Sequence, residues 1–231
     1  MNWFHNWTNT LYQTFIVKNR YQVLITGFEK TLIITIGALI IGVIIGTIVA
    51  ITKVAARQNK NLKPLDMLCN SYLTVIRGTP VVVQLLISFF IIFTTAKDGT
   101  WVAIITFGVN SGAYVAEVIR SGILAIDQGQ MEAGRSLGFS GAQTMKLIIL
   151  PQAFKNILPA IGNEMIALLK ETSVVGYVAV MDLTKAGNQI KNTTYDQFNP
   201  IMLVAILYLV VVIGMTKLLG VLERRLRKNE R

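Results

Sequence analysis

Six charged side chains lie within or beside segments that are otherwise apolar, and they are the residues whose placement points to chemistry. They are Arg77, Glu117, Arg120, Glu164, Lys170 and Glu171. A charge near the centre of a bilayer costs about 2.5–3.5 kcal/mol on insertion scales, so such groups usually face a partner or a polar pathway. The predicted chemistry is therefore the binding of charged groups, and no set of catalytic residues is indicated.

Long apolar helices are the elements that must position these charges. The chain has 231 residues, 53% of them hydrophobic and 15% charged, which is more apolar side chain than a soluble domain of this size buries. Charge-free runs close to the roughly 20 residues that a helix needs to cross the hydrocarbon core occupy residues 31–52, 78–96, 99–116 and 197–216. A fifth span, about residues 153–181, is interrupted by charges. The sequence predicts an all-α membrane protein with about five transmembrane helices.

The basic residues give the chain an orientation, because lysine and arginine stay preferentially in short cytoplasmic loops. They are concentrated after the first, third and fifth spans, at Lys53, Arg57, Lys60, Lys63, Arg135, Lys146, Arg224, Arg225, Arg227, Lys228 and Arg231. The other loops are poorer, with Lys97, Lys185 and Lys191. The amino terminus is therefore predicted outside and the carboxyl terminus in the cytoplasm, and the net charge of +10 needs no nucleic acid to explain it.

The two ends of the chain are predicted to differ from the membrane domain of residues 23–222. Residues 1–22 carry an aromatic-rich stripe at helical spacing, formed by Trp3, Phe4, Trp7, Leu11, Tyr12 and Phe15. Such a stripe favours a helix lying in the headgroup region, although a disordered tail is the open alternative. Residues 223–231 form a basic cytoplasmic tail.

A polar loop at residues 132–151, EAGRSLGFSGAQTMKLIILP, interrupts the apolar pattern. Ser140 followed by Gln143 is a capping box, in which hydroxyl and amide satisfy free backbone N–H groups at a helix start. Gly138 suits the end of the preceding helix, because glycine adopts the left-handed conformation without a side-chain clash. The loop is therefore predicted to be a short helix, a glycine corner and a second helix that returns to the membrane.

The loop also carries a recognisable spacing, E-A-(A)-x3-G-x9-I-x-L-P, met by Glu132, Ala133, Gly138, Ile148, Leu150 and Pro151. It resembles the EAA loop of the membrane subunits of bacterial ATP-binding-cassette (ABC) importers. Three more segments are similar to the polar amino-acid uptake subfamily: RGTPVVVQLL at 77–86, SGAYVAEVIRSGI at 111–123 and NEMIALLKETSVV at 163–175. The departures are Gly134 in place of alanine and Asp127 in place of a common proline.

The resemblance implies a type I importer permease of the bacterial inner membrane, with residues 127–151 coupling it to an ATPase. The implied coupling residues are Glu132, Ala133, Gly134, Leu137, Gly138 and Pro151. The implied partners are a second permease subunit, identical or related, an ABC ATPase dimer, an extracytoplasmic solute-binding protein and a polar or basic amino acid. The phosphate-binding pattern G-x-x-x-x-G-K-[ST] is absent from the sequence, so ATP and Mg²⁺ are expected on the ATPase, and this chain is expected to be a transport subunit rather than an enzyme.

Counting along the predicted helices at about 1.5 Å per residue places Gln84, Asn110, Ser111 and Glu164 at a similar, central depth. We expect these side chains to form a polar layer that holds an amino acid, with Glu164 accepting a cationic group of the substrate. A carboxylate bonded only within the protein is an equally open reading. The candidate substrate path comprises Thr79, Gln84, Asn110, Ser111, Glu117, Glu164 and Glu171.

Other positions are given structural roles. The first interpretation of Arg77, Glu117 and Arg120 is that they are structural partners near the cytoplasmic interface. For Lys170 and Glu171, a structural role and a place in the substrate pathway are equally open. Pro80 is expected to bend the second span, with Thr79 satisfying a freed carbonyl. Gly42 and Gly46, four residues apart, are expected to allow close helix contact.

Two other classes of function remain open at this point. An ion-coupled secondary transporter or channel would use membrane carboxylates to bind protons or sodium, but it needs no cytoplasmic docking loop. A membrane scaffold that transports nothing is the other alternative. His5 and Cys69 are the single histidine and cysteine, so a metal cluster or disulfide within one chain is not expected.

Overall fold

Helices build the whole described part of the chain. A computed structural model describes residues 2–56 and 59–227, with side chains for all of these except residues 2–6, 60 and 227. Its α-helices are α1 (Asn2–Leu11), α2 (Tyr21–Ala56), α3 (Lys63–Gly78), α4 (Val81–Ile87), α5 (Gly99–Leu124), α6 (Gln128–Ser136), α7 (Gly141–Thr144), α8 (Leu150–Glu171), α9 (Leu183–Thr194) and α10 (Asn199–Arg227). Within these ranges there is no strand, and the predicted all-α fold is confirmed.

Membrane-spanning length is met by several of these helices. By length and composition α2, α5 and α10 could each cross a bilayer, and the bent pair Lys63–Gly78 and Val81–Ile92 could supply a fourth span. The predicted fifth span corresponds to α8, whose 22 residues reach about 33 Å, although its composition is more polar. This span is shorter than the predicted 153–181, because the α-helix ends at Glu171 and gives way to a 3-10 helix at Thr172–Val178.

The longest packing interface runs along α2 and α5. A methyl group added at Gly42 would lie 2.8 Å from Oγ of Ser111, and one added at Gly46 would lie 2.7 Å from Cβ of Val115. These distances are too short for real Cβ contacts, so α5 occupies the space that the two glycines leave open. The close contact predicted at Gly42 and Gly46 is confirmed, and it fixes the side of α2 on which Ser111 lies.

The second span is the main departure from prediction. The run 78–96 was expected to be one bent helix, but helix α3 begins much earlier, at Lys63, and ends at Gly78. Thr79 and Pro80 are extended, and the helix that follows runs at 104° to α3. Proline has no N–H to continue the helical ladder and disfavours a helical conformation in the residue before it. Thr79-Pro80 is therefore a full break, and Arg77 lies at the inner end of a 16-residue helix rather than at its start.

The amino-terminal segment packs against the α9–α10 connection. Phe15 is buried in a cluster that includes Leu183 and Ile190 of α9, and Thr14 donates a hydrogen bond of 2.9 Å from Oγ1 to Oδ2 of Asp196. Tyr12 is 56% exposed. The side chains of Trp3 and Phe4 lie outside the described residues, as do residues 228–231 of the basic tail. The interfacial position of residues 1–22 stays a prediction.

Candidate functional site

The loop of residues 127–151 contains the corner that its sequence predicts. Helix α6 starts with Asp127 as N-cap, whose side chain accepts a hydrogen bond from the N–H of Gly129. The helix ends at Ser136, and the chain turns at Gly138, where φ is +88°. The N–H of Phe139 donates to the carbonyl of Gly134 at 3.2 Å, and the N–H of Gly138 donates to that of Arg135 at 3.0 Å. This pair of bonds is a Schellman motif, which closes a helix with a left-handed glycine.

The second helix begins directly after this corner. The N–H of Gln143 donates to Oγ of Ser140 at 3.3 Å, and the N–H of Ser140 donates to Oε1 of Gln143 at 2.8 Å, so the predicted capping box is present. Helix α7 passes through a π-helical turn at Met145–Ile149 into α8. The helical run that starts at the corner is therefore the one that carries Glu164.

Gly134 is buried where α6 packs on α7. A methyl group added here would lie 2.5 Å from Cγ2 and 2.9 Å from Oγ1 of Thr144, whose side chain is itself fully buried. The glycine found where alanine is usual is thus matched by a threonine ten positions later. Local sequence reasoning missed this pairing, because it depends on how two helices meet.

The opposite face of the corner is exposed on the subunit. Glu132, Ala133 and Leu137 are exposed, as is Pro151 at the start of α8. Leu137 is 77% exposed and Phe139 is 37% exposed. Exposed leucine and phenylalanine on a polar loop, held by two capped helix ends, form a compact surface that a partner protein could grip.

The break in the second span is stabilised by side chains. Thr79 donates from Oγ1 to the carbonyl of Val75 at 2.8 Å, as predicted for the threonine beside the proline. Gln84 donates from Nε2 to the carbonyl of Ile76 at 2.8 Å, which is the carbonyl that the N–H of residue 80 would bind in an unbroken helix. Nε2 also lies 2.8 Å from Oγ1 of Thr79. Gln84 thus replaces the hydrogen bond that Pro80 cannot make.

The four residues of the predicted polar layer form two hydrogen-bonded pairs. Asn110, which is 3% exposed, donates from Nδ2 to Oε1 of Gln84 at 3.0 Å. Ser111, which is fully buried, donates from Oγ to Oε1 of Glu164 at 2.8 Å. Asn110 and Ser111 are adjacent on α5 and point about 100° apart around its axis. The two hydrogen bonds bring the four side chains to one level along α5, which lies between the two pairs.

Glu164 has capacity for a further contact. Its side chain is partly buried, and Oε1 accepts the bond from Ser111. Among the residues that the structure describes, no hydrogen bond or ion pair engages its other oxygen. A partly buried carboxylate with one oxygen fixed and the other free can accept a hydrogen bond from a cation without losing its position.

Glu117 and Arg120 form an ion pair one turn apart on α5, in which the carboxylate accepts from both Nε and Nη2 of the guanidinium. Nearby, Lys53 binds Asp66 at 3.2 Å. These residues and Arg77 line a cavity of about 510 Å³ between α2, α3 and α5. The predicted partnership holds for Glu117 and Arg120. Arg77 instead lies over the ring of Tyr114, with Cζ 5.6 Å from the ring centroid.

Lys170 and Glu171 occupy the last turn of α8. Lys170 is exposed and Glu171 is partly buried, and neither forms an ion pair with another described residue. The geometry therefore adds nothing to the candidacy of Glu171 as a pathway residue.

Comparison with known proteins identifies the family. Residues 42–228 match the family described as the inner membrane component of binding-protein-dependent transport systems. The chain belongs to this family. It is 37% identical over 210 residues to the arginine transport system permease protein ArtQ of Bacillus subtilis, covering 90% of this chain and 94% of the relative. It is 39% identical over 209 residues to a putative glutamine transport system permease protein of Rickettsia typhi, covering 89% and 94%.

A solved structure agrees with this assignment. The chain superposes with a TM-score of 0.84 and 41% identity on a chain from the crystal structure of an amino acid ABC transporter with histidines, covering 91% of this chain and 98% of that one. The protein is thus a multi-pass membrane permease subunit of the amino-acid ABC transporter type, with the fold of a type I importer permease. Nothing in these comparisons supports the alternative of an ion-coupled secondary transporter.

Proposed function

We propose that this subunit takes a polar or basic amino acid inward across the membrane and draws its energy from ATP bound, with Mg²⁺, on a separate ATPase dimer. The observation that carries the proposal is the helical run from the Gly138 corner to Glu164. The run from Gly141 to Glu164 spans roughly 35 Å. An ATPase that moves the exposed corner would therefore move the candidate substrate residue with it.

The docking surface in this proposal is the exposed face of the corner, with Leu137 as its apolar centre and Glu132 also exposed on α6. Two capped helix ends fix its shape, so a displacement is transmitted rather than absorbed. Pro151 lies at the start of α8, directly after the π-helical turn at Met145–Ile149. The two ends of the ATPase cycle would correspond to two tilts of the α7–α8 helix.

Two copies of this chain, or one copy with a related subunit, would enclose the central pathway. Helix α10 would face lipid or the second subunit, since only 6% of its most apolar stretch is buried within one chain. A solute-binding protein would deliver the amino acid at the outer surface. In this arrangement the amino terminus lies outside and the basic carboxyl terminus lies in the cytoplasm, as the distribution of lysine and arginine predicts.

Glu164 would accept a cationic group of the substrate through the oxygen that Ser111 leaves free. The relatives named for arginine and glutamine transport support an α-amino acid as the substrate class. An α-ammonium or a guanidinium would bind a carboxylate by charge-assisted hydrogen bonds. Glu164→Gln keeps the size and the acceptor for Ser111 but removes the charge. We expect it to lower uptake of the preferred amino acid at least tenfold in reconstituted vesicles, and unchanged affinity and uptake would contradict the assignment.

The whole proposal is tested by purifying the chain with the products of neighbouring genes. We expect an ATPase to copurify, and amino acid with binding protein to stimulate its hydrolysis of ATP. Uptake that persists with the ATPase removed would reject the proposal. Absence of any copurifying ATPase would reject the docking surface at the corner.

A further inference from the structure

Arg77 is an exposed cation in the membrane domain, close enough to Glu117 to act on its charge but not paired with it. Its neighbours around the cavity are paired, Lys53 with Asp66 and Arg120 with Glu117. Among the side chains that the structure describes, no carboxylate forms an ion pair with the Arg77 guanidinium. The Arg77 side chain is exposed on the surface of the single subunit. Glu117 is already bound to Arg120, so the N–H donors of Arg77 remain available to an anion from outside this chain.

The depth of Arg77 makes its lack of an ion-pair partner significant. Helix α3 has 16 residues and begins at Lys63, so Arg77 lies near its inner end, two positions before the break at Thr79. The same helix is tied to the middle of α5, where Tyr72 donates from its hydroxyl to the carbonyl of Val109 at 2.6 Å. A charged side chain at such a position is retained only when it has a function or a partner.

The ring of Tyr114 lies under the Arg77 guanidinium. The Cζ atom lies 5.6 Å from the ring centroid, within the range of a cation–π interaction. A guanidinium over an aromatic face keeps its N–H donors available at its edge, where they match the two oxygens of a carboxylate. Arg77 also borders two cavities, one of about 510 Å³ and one of about 400 Å³ that includes Tyr114 and Gly78. Space for a small molecule thus lies next to those donors.

Helix α5 relates Arg77 to the candidate substrate carboxylate. Ser111 binds Glu164, and Tyr114, three residues later, contacts Arg77. Residues three apart are neighbours on a helix surface, so the two points of attachment on α5 are about one turn apart. Tyr114 lies closer than Ser111 to the Leu124 end of α5, which leads into the coupling loop. The arrangement places a fixed anion and a fixed cation along one side of α5.

We propose that Arg77 binds the α-carboxylate of the transported amino acid, on the coupling-loop side of Glu164. This inference rests on the proposed function, because it assumes an amino acid whose cationic group is held by Glu164. A molecule with an ammonium and a carboxylate would satisfy both charges, whereas a compound without the carboxylate would leave Arg77 unmatched. Arg77 is thus a residue that selects α-amino acids over the corresponding amines and amides.

The test measures direct binding to the purified permease–ATPase complex in nanodiscs without the binding protein, whose own specificity would otherwise intervene. The probes are L-arginine and L-glutamine, each compared with its α-carboxamide, which has the same side chain and no carboxylate. The variants are Arg77→Gln and Arg77→Lys, with Arg224→Gln as control, since Arg224 lies far along the chain on α10 and donates to the carbonyl of Gly220 in its own helix. Melting temperature and basal ATP hydrolysis report whether each variant is folded.

We expect Arg77→Gln to weaken binding of the amino acid at least tenfold and binding of the carboxamide less than twofold. Arg77→Lys should fall between wild type and Arg77→Gln, because lysine keeps the charge and loses the two-point geometry. Arg224→Gln should bind like wild type. If Arg77→Gln does not fold, the same comparison with Arg77→Lys decides.

Other outcomes overturn the inference. Equal weakening for acid and carboxamide would show that Arg77 only supports the structure. If the Arg77→Gln complex contains one permease copy where the wild-type complex contains two, the carboxylate that binds Arg77 belongs to the second copy. An effect seen only in anionic nanodiscs would place it on a lipid headgroup. Failure of the wild-type complex to bind either amino acid would reject the proposed function itself, and with it the role of Arg77.

Discussion

The side-chain amide of Gln84 lies 2.8 Å from the carbonyl oxygen of Ile76 and supplies the hydrogen bond that the missing N–H of Pro80 would have made. The same side chain accepts a bond from Asn110 on α5. The break between α3 and α4 is therefore tied to the central helix of the subunit. A backbone carbonyl at membrane depth with no donor would be unstable, since lipid offers none.

Replacing Gln84 by leucine should destabilise the subunit by about 1–3 kcal/mol, because it leaves the Ile76 carbonyl and the Asn110 amide without partners. We expect a lower melting temperature of the purified complex. Gln22→Leu is the matched control, because the Gln22 side chain is exposed. Asn110→Leu combined with Gln84→Leu should cost less than the sum of the two single changes. Additive losses would show that the two amides do not act together.

Replacing Gly134 by alanine should destabilise the loop of residues 132–151, even though alanine is the better helix former. The added methyl would lie 2.5 Å from Cγ2 of Thr144, so α6 and α7 would have to separate. Overpacking of this kind costs roughly 1–3 kcal/mol. Thr144→Ala should remove the obstacle, so the double variant should be more stable than Gly134→Ala alone. Thermal unfolding of the four proteins measures this, and a double variant less stable than both singles would refute the packing argument.

Local spacing was enough to predict the corner at Gly138. Contacts between residues distant in sequence could not be predicted in this way. Ser140 and Gln143 are three residues apart, and Gly138 acts on its own backbone, so both could be inferred from neighbouring residues. The position of the bend at Pro80 followed from the missing N–H. Its 104° angle depends on Gln84 and Asn110, which are distant in sequence.

The candidate site shows the same division. Counting residues along the helices placed Asn110, Ser111 and Glu164 at one depth, because rise per residue is constant. Which side chains pair depends on the rotation of α5 between its neighbours, which no single-helix pattern specifies. Arg77 was misplaced for a related reason, since the charge-free run began after it while the actual helix began at Lys63.

Acidification should loosen the attachment of the amino-terminal segment through Asp196. Burial raises the pKa of Asp196, but hydrogen bonds from Asn199, Thr14 and Phe198 outweigh this and hold the pKa below its ordinary value. A folded-state pKa below the unfolded one means that this stabilisation is complete above the unfolded pKa, about 3.9, and is lost as pH falls through the folded value.

We therefore expect wild type to be more stable than Asp196→Asn at pH 7, with the difference in melting temperature shrinking below about pH 4. Thr14→Val should show part of the same loss, because it removes one of the bonds to the carboxylate. Thr26→Val is a suitable control, since Thr26 bonds only within its own helix. A difference between wild type and Asp196→Asn that stays constant from pH 7 to pH 3 would contradict the assignment.

Leu137 should be the residue of the corner that matters most for docking and least for folding. It is 77% exposed, so truncation removes little buried surface within the subunit. If an ATPase covers it, loss of a buried leucine would weaken the interface by about 1.5–3 kcal/mol, a roughly 10- to 150-fold change in affinity. Leu137→Ser should therefore release the ATPase on purification while the melting temperature of the permease stays within a degree or two.

Leu65→Ser is the matched comparison, because Leu65 is 49% exposed at the start of α3, outside residues 127–151. It should retain the ATPase. Retention of the ATPase by Leu137→Ser as well would place the docking surface elsewhere. Loss of ATPase together with a large fall in melting temperature would mean that Leu137 stabilises the loop itself. The two measurements together distinguish a contact with another protein from a contact within the chain, which exposure alone does not do.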